Sequence, residues 1–165
     1  MESTRGFVWI HSAPAALCPH IEWAASAAVG SPVRFDWNPQ TAEPRAMRAE
    51  FAWSGAVGAG ATLASALVRC ERLRFEVTEE ATRTSEGTRW AYTPSLGVFS
   101  GTIGLNGDIL VHENRIKRAL VSEALGGKPI REALDDLLGT RWDAELEVFR
   151  HASEDTGVRW LHRVS

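Results

Sequence analysis

His11, Cys18 and His20 are the only close set of nucleophile and imidazole side chains in this chain. They lie where a short apolar stretch runs into a Pro-punctuated turn and then a helix. A thiol at a helix start feels the positive end of the helix, which lowers its pKa and raises its reactivity. A neighbouring imidazole could serve as its base. Pro19 fits the first turn of a helix far better than its interior, where it would cost about 3 kcal/mol. The helix is therefore expected to begin at Pro19, with Cys18 as its N-cap. No third group that would orient an imidazole is visible, so the weightier expectation is structural. In it Cys18 is a small buried hydrophobe, His11 ends a strand and His20 lies on the surface.

A metal site is disfavoured further. Cys18 and His20 on one helix would stand about 160° apart around its axis. No Cys-x-x-Cys or His-x-x-x-His spacing supports zinc. Trp23 stands about 140° from the centre of the same helix's apolar stripe. It is a candidate recognition anchor, with packing beneath the second half of the chain as the even alternative. His11, Cys18, His20 and Trp23 are thus the candidate ligand- or partner-binding residues, and no catalytic residue, metal ligand or cofactor is assigned.

Other motifs carry less. The glycine-rich run from Gly55 to Thr62 sits between a strand and a helix, where phosphates bind. It lacks the P-loop lysine and the G-x-G-x-x-G spacing, so a tight turn with Thr62 near the cap is the expectation. The adjacent acids Glu79-Glu80 and Asp135-Asp136 face apart on any regular element and are expected to be solvated. His112, His151 and His162 are isolated and receive no role.

The elements that position these residues follow from periodicity. Residues 4–12 read as a central strand covered on both faces, with Phe7, Trp9 and His11 opposite Val8 and Ile10. A helix follows to about Val29, its stripe formed by Leu17, Ile21, Ala24, Ala25 and Ala28, and Gly30 stops it. Strands are expected at 33–37, 46–53 and 73–79, with a second helix over 61–70. Arg34/Asp36, Arg48/Glu50 and Arg74/Glu76 would form ion pairs across the face away from the helices. This order is the ferredoxin-like βαββαβ pattern. The second half reads as strands at 89–93, 96–103 and 108–111, with a type I′ turn at Asn106-Gly107, and then three helices. The last of these has Thr140 as its cap. The tail over 158–164 alternates as a strand.

The fold class is therefore α+β, with a ferredoxin-like half over 1–80. Residues 81–165 add a small antiparallel sheet and three C-terminal helices, and the two halves are expected to pack as one unit. RNA binding in the manner of an RNA-recognition module is not expected. That mode needs aromatics on an open sheet face, and in the second to fourth strands the residues opposite the aromatics are Arg, Asp and Glu.

Composition narrows the classes further. The chain has 165 residues, 44% apolar and 24% charged, close to globular averages. A net charge of −3 lacks the footprint of a general nucleic-acid binder. No apolar run approaches a membrane span, and the N-terminus has no signal-peptide core. Two cysteines make no disulfide framework. The expected location is the cytoplasm.

The run STRGFVWIHSAPAALCPHIEWA, the segments LRFEVTEE and YTPSLGVF, the hairpin GDILV and the ending WDAELEVFRHA…VRWLH together resemble DUF3145, an actinobacterial family classed as a domain of unknown function. The resemblance covers nearly the whole chain. It implies a cytoplasmic bacterial protein with no catalytic residue to transfer, and a connection to fatty-acid or acyl-chain metabolism. Two functions follow as expectations. The first is a non-enzymatic adaptor or regulator of an unidentified protein partner. The second is an enzyme or small-ligand binder built on the His11/Cys18/His20 junction. The oligomeric state is left open.

Overall fold

The computed structural model describes residues 2–152. Its centre is β1 (Ser3–Pro14), in which Val8 and Ile10 alternate with Phe7, Trp9 and His11. A 3₁₀ turn over Ala15–Leu17 leads into α1 (Cys18–Val29), which ends at Gly30 in the left-handed region, φ 76°. There follow β2 (Asn38–Pro39), β3 (Ala46–Ala56), α2 (Ala59–Val68) and β4 (Arg74–Glu79). The second half contributes β5 (Gly87–Thr93), β6 (Gly97–Ile103) and β7 (Ile109–Leu110). The described chain closes with α3 (Glu113–Ala124), α4 (Ile130–Leu138) and α5 (Thr140–His151).

The fold is mixed α/β, and among the described residues all strands join one antiparallel sheet in the order β2-β3-β1-β4-β5-β6-β7. The separate small sheet expected for the second half does not form, because β5 pairs with β4 from Phe75↔Tyr92 to Glu79↔Thr88 and extends the first sheet. Helices α1 and α2 cover one face. Ile21, Ala25, Leu63, Ala64 and Leu67 pack there on Val8, Ile10, Phe75 and Val77. On the opposite face α5 buries Trp142 and Leu146 against Ala91 and Phe99. Trp142 and Leu146 stand four residues apart and so share one side of α5.

Several local expectations are corrected. Residues 33–37 form no strand, and only Asn38 and Pro39 pair with β3. The reason lies in α1, which takes the donors a strand would have used. Val33 N–H donates to Ser26 Oγ at 2.8 Å, and Phe35 N–H to Glu22 Oε1 at 3.0 Å. Strand β1 is central but not covered on both faces. Phe7 is 44% exposed and stacks on Trp9 at 5.5 Å, since α5 reaches only the His11 end. The turn after β6 is not type I′, because Asn106 keeps a negative φ and only Gly107 is positive, at 84°. Gly107 N–H closes on the Gly104 carbonyl, and Gly104 N–H bonds the Asp108 carbonyl, giving a three-residue loop with a left-handed glycine. Gly139, not Thr140, caps α5. The strand expected over 158–164, and His162 with it, lie outside the described residues.

Candidate functional site

The site is built around a bulge. The register of β1 shifts after Ile10 against both β3 and β4, and a bulge re-aims side chains. His11, only 3% exposed, meets Glu76 of β4, with Nε2 2.5 Å from Oε2. Glu76 also accepts from Arg89 of β5, at 3.0 Å from Nε and 2.5 Å from Nη2. Arg150 of α5 donates to it from Nη2 at 2.7 Å and from Nε at 3.2 Å. Asp143, two turns earlier on α5, accepts from Arg89 at 2.7 Å and from Arg150 at 3.1 Å. Burial alone would push the Glu76 carboxyl up. The hydrogen bond and charge of His11, with the charges of Arg89 and Arg150, outweigh it and hold the group well below the usual carboxylate range.

A cleft of about 230 Å³ opens beside this cluster, lined by His11, Asp36, Asn38, Arg48, Glu50 and Phe149. Gln40 stands at its edge and donates from Nε2 to the carbonyls of His11 at 2.7 Å and Phe149 at 3.2 Å. An imidazole against a carboxylate is the orienting half of a nucleophilic site. The hydroxyl that follows His11 along the chain, Ser12 Oγ, is bonded to Glu43 at 2.5 Å. A carboxylate already held by two arginines is also a weak base. The cluster ties α5 to the sheet.

The expected junction separates. The His11 ring lies on the α5 side of the sheet with Glu76. Cys18 is buried as the first residue of α1, with Leu17 rather than Cys18 as N-cap, and its Sγ lies 4.0 Å from the Pro14 carbonyl. Burial pushes the Cys18 thiol up and the charge of Glu22 adds to this, opposite to the lowering expected at a helix start. The structure brings together only His20 and Trp23, whose rings stack at 5.8 Å on the outer side of α1, with Trp23 68% exposed.

The glycine-rich turn is occupied by the protein's own anion. Glu79, expected in solvent, is 5% exposed, and its carboxylate accepts the amides of Gly58 and Gly60, each at 2.8 Å. It fills the position a phosphate would take at the start of α2. Thr62 donates from Oγ1 to the Gly58 carbonyl in the same turn.

Of the charges expected on this face, Arg34 meets Glu22, Arg74 meets Glu43 and Glu76 meets Arg89 and Arg150, while Arg48 keeps the attraction of Glu50. The Glu76 cluster was missed because its partners come from three elements. Its one local signal is the i, i+7 spacing of Asp143 and Arg150 beside the apolar stripe of α5. His112 pairs with Glu86 and His151 with Glu147 at the surface.

Among the described residues no helix is long and apolar enough to cross a membrane. No curated protein and no solved structure matches the chain. Residues 7–163 match DUF3145, described as a protein of unknown function, so this chain belongs to that family.

Proposed function

We propose that this protein is a non-enzymatic cytoplasmic adaptor or regulator that binds a protein partner through α3 and α4. One observation carries the reading. Neither helix has a buried residue. Leu120 is 49% exposed, Val121 59%, Leu125 83% and Leu138 41%. A 12-residue helix is marginal in water without a packed face, so a surface that packs on these side chains would stabilise both helices. Lys117 and Arg118 flank Val121 and Leu125 along a shallow groove on α3. The fitting partner segment is apolar and edged by carboxylates. That the partner is an enzyme of acyl-chain metabolism rests on the family resemblance alone.

The fold supports a ferredoxin-like reading of residues 1–80. Strands β2-β3-β1-β4 are neighbours in that order and antiparallel, with one helix after β1 and one after β3. Residues 81–165 are read as the other half of one compact unit, a reading favoured by the β4–β5 pairing and by the bonds from α5 to Glu76.

The test is affinity capture of the tagged protein from its native host, compared with a Val121→Glu/Leu125→Glu variant. A stoichiometric protein retained by the wild type and lost by the variant, at unchanged melting temperature, is the expected result. Wild type recovered alone, or equal retention by both, removes the reading. A second reading, a small-ligand site at the junction, is favoured only by the cleft beside His11. It ranks lower because the His11 ring is committed to Glu76 and Cys18 is buried away from an activating partner.

A further inference from the structure

The face of the sheet that carries α5 is open near its centre. Helix α5 packs on Ala91 and Phe99, but Phe7 and Trp9 of β1 stack on each other with Phe7 44% exposed. Beside them on β3 are Glu50, opposite Trp9, and Ala52, opposite Phe7, and both are exposed. Strand β1 lies inside the sheet rather than at its edge, so an aromatic stack there calls for a further layer. The cleft beside His11 joins this open patch to the end of α5, with Glu50 on one side and Phe149 on the other. The last turn of α5 is held at that cleft. The Phe149 carbonyl accepts from Gln40 Nε2 at 3.2 Å and the Ala152 carbonyl from Thr41 Oγ1 at 3.1 Å.

We infer that the chain's own residues 153–165 cross this cleft and cover Trp9 and Phe7. The segment starts in the right place, because it follows Ala152 at the mouth of the cleft. It is long enough. From Ala152 an extended chain reaches Trp160 over about 26 Å, against roughly 13 Å of β1 between His11 and Phe7. Its sequence suits the patch. Val158, Trp160 and Val164 alternate with Arg159 and Arg163, an alternation that gives an extended segment one apolar side. Its arginines suit the rim, where Asp36 and Glu50 line the cleft with carboxylates. The family match runs on to residue 163, so most of the segment belongs to the same domain as β1. This surface is separate from the α3–α4 face.

The test is photo-crosslinking of the full chain with p-benzoylphenylalanine at Phe7 and, in a second variant, at Ala52. Both positions are exposed, so neither variant removes a buried side chain. The expected result, mapped by peptide mass, is a product of monomer mass joined to residues 153–165, with a yield that does not change with protein concentration. Trp160→Asp and, independently, Val158→Asp should each lower that yield by about tenfold or more, the effect of one lost apolar anchor. Val121→Glu/Leu125→Glu should crosslink like wild type, so failure of the α3–α4 reading leaves this result standing. Absence of a product with residues 153–165 from both positions overturns the inference, and so does a yield indifferent to both Asp substitutions. A product of twice the chain's mass would seat a second copy on the patch and also overturn it.

Discussion

At the scale of single residues, Glu76 shows how neighbours decide what an acid does. Alone on this sheet it would be a buried charge of high cost. Surrounded by His11, Arg89 and Arg150 it stays ionised and anchors α5. Removing one partner of such a network costs about 3–5 kcal/mol. Glu76→Gln should therefore lower the melting temperature by roughly 6–20 °C in a chain of this length. The sign of the pH effect follows from its depressed pKa. Unfolded, the carboxyl titrates near 4.5, so below that pH the unfolded state binds the extra proton and stability falls with pH. Urea midpoints should drop more steeply for wild type than for Glu76→Gln as pH falls below about 4.5, and parallel curves would refute the assignment. Cys18 gives the opposite lesson. Its raised pKa and burial predict labelling by a thiol reagent at neutral pH slower than that of the denatured chain. A native rate above that of a free thiol would restore Cys18 as a nucleophile.

At the scale of elements, side chains settle which backbone groups pair. Ser26 and Glu22 take the amides of Val33 and Phe35, and β2 is only two residues long. Glu79 reaches from β4 to cap α2, so one carboxylate sets the approach of a helix to a strand. Glu79→Ala leaves the Gly58 and Gly60 amides without that acceptor. It should cost about 2–3 kcal/mol, as for a charge-assisted bond lost in a buried place. Hydrogen exchange at Gly60 should accelerate well beyond that of the α2 interior, and an unchanged rate would show the cap to be dispensable. The Gly6 position is equally constrained. A Cβ there would lie 1.8 Å from the Thr78 carbonyl oxygen, so only glycine lets β1 and β4 approach this closely.

At the scale of the whole molecule, the two halves read in the sequence share one sheet. Residues 1–80 alone would leave the β4 edge open where β5 pairs, and Glu76 without the arginines of β5 and α5. We expect thermal unfolding followed by far-ultraviolet circular dichroism and by tryptophan fluorescence to coincide in a single transition. A fragment ending at residue 80 should fail to fold on its own. Two separated transitions, or a stable fragment, would show independent halves. The α3–α4 pair differs from the other helices because it buries no residue of its own.

Local pattern determined most of the elements. Alternation in Phe7 to His11, the stripe from Ile21 to Ala28, the glycine stops at Gly30 and Gly139, and the stripe of Trp142 and Leu146 are short-range properties, and they appear where the chain places them. Family membership was equally legible, because whole strings carry it. Tertiary structure alone decided the partners. His11 is parted from Cys18 and His20 because a strand and the helix after it can present side chains to opposite sides of a sheet, and Cys18 and His20 differ because one is buried and the other exposed on the same helix. Five residues spread from His11 to Arg150 converge because β1, β4, β5 and α5 pack there. Periodicity records which side of an element is apolar. The charge that meets a given carboxylate depends on which elements pack together, and that is set by the chain as a whole.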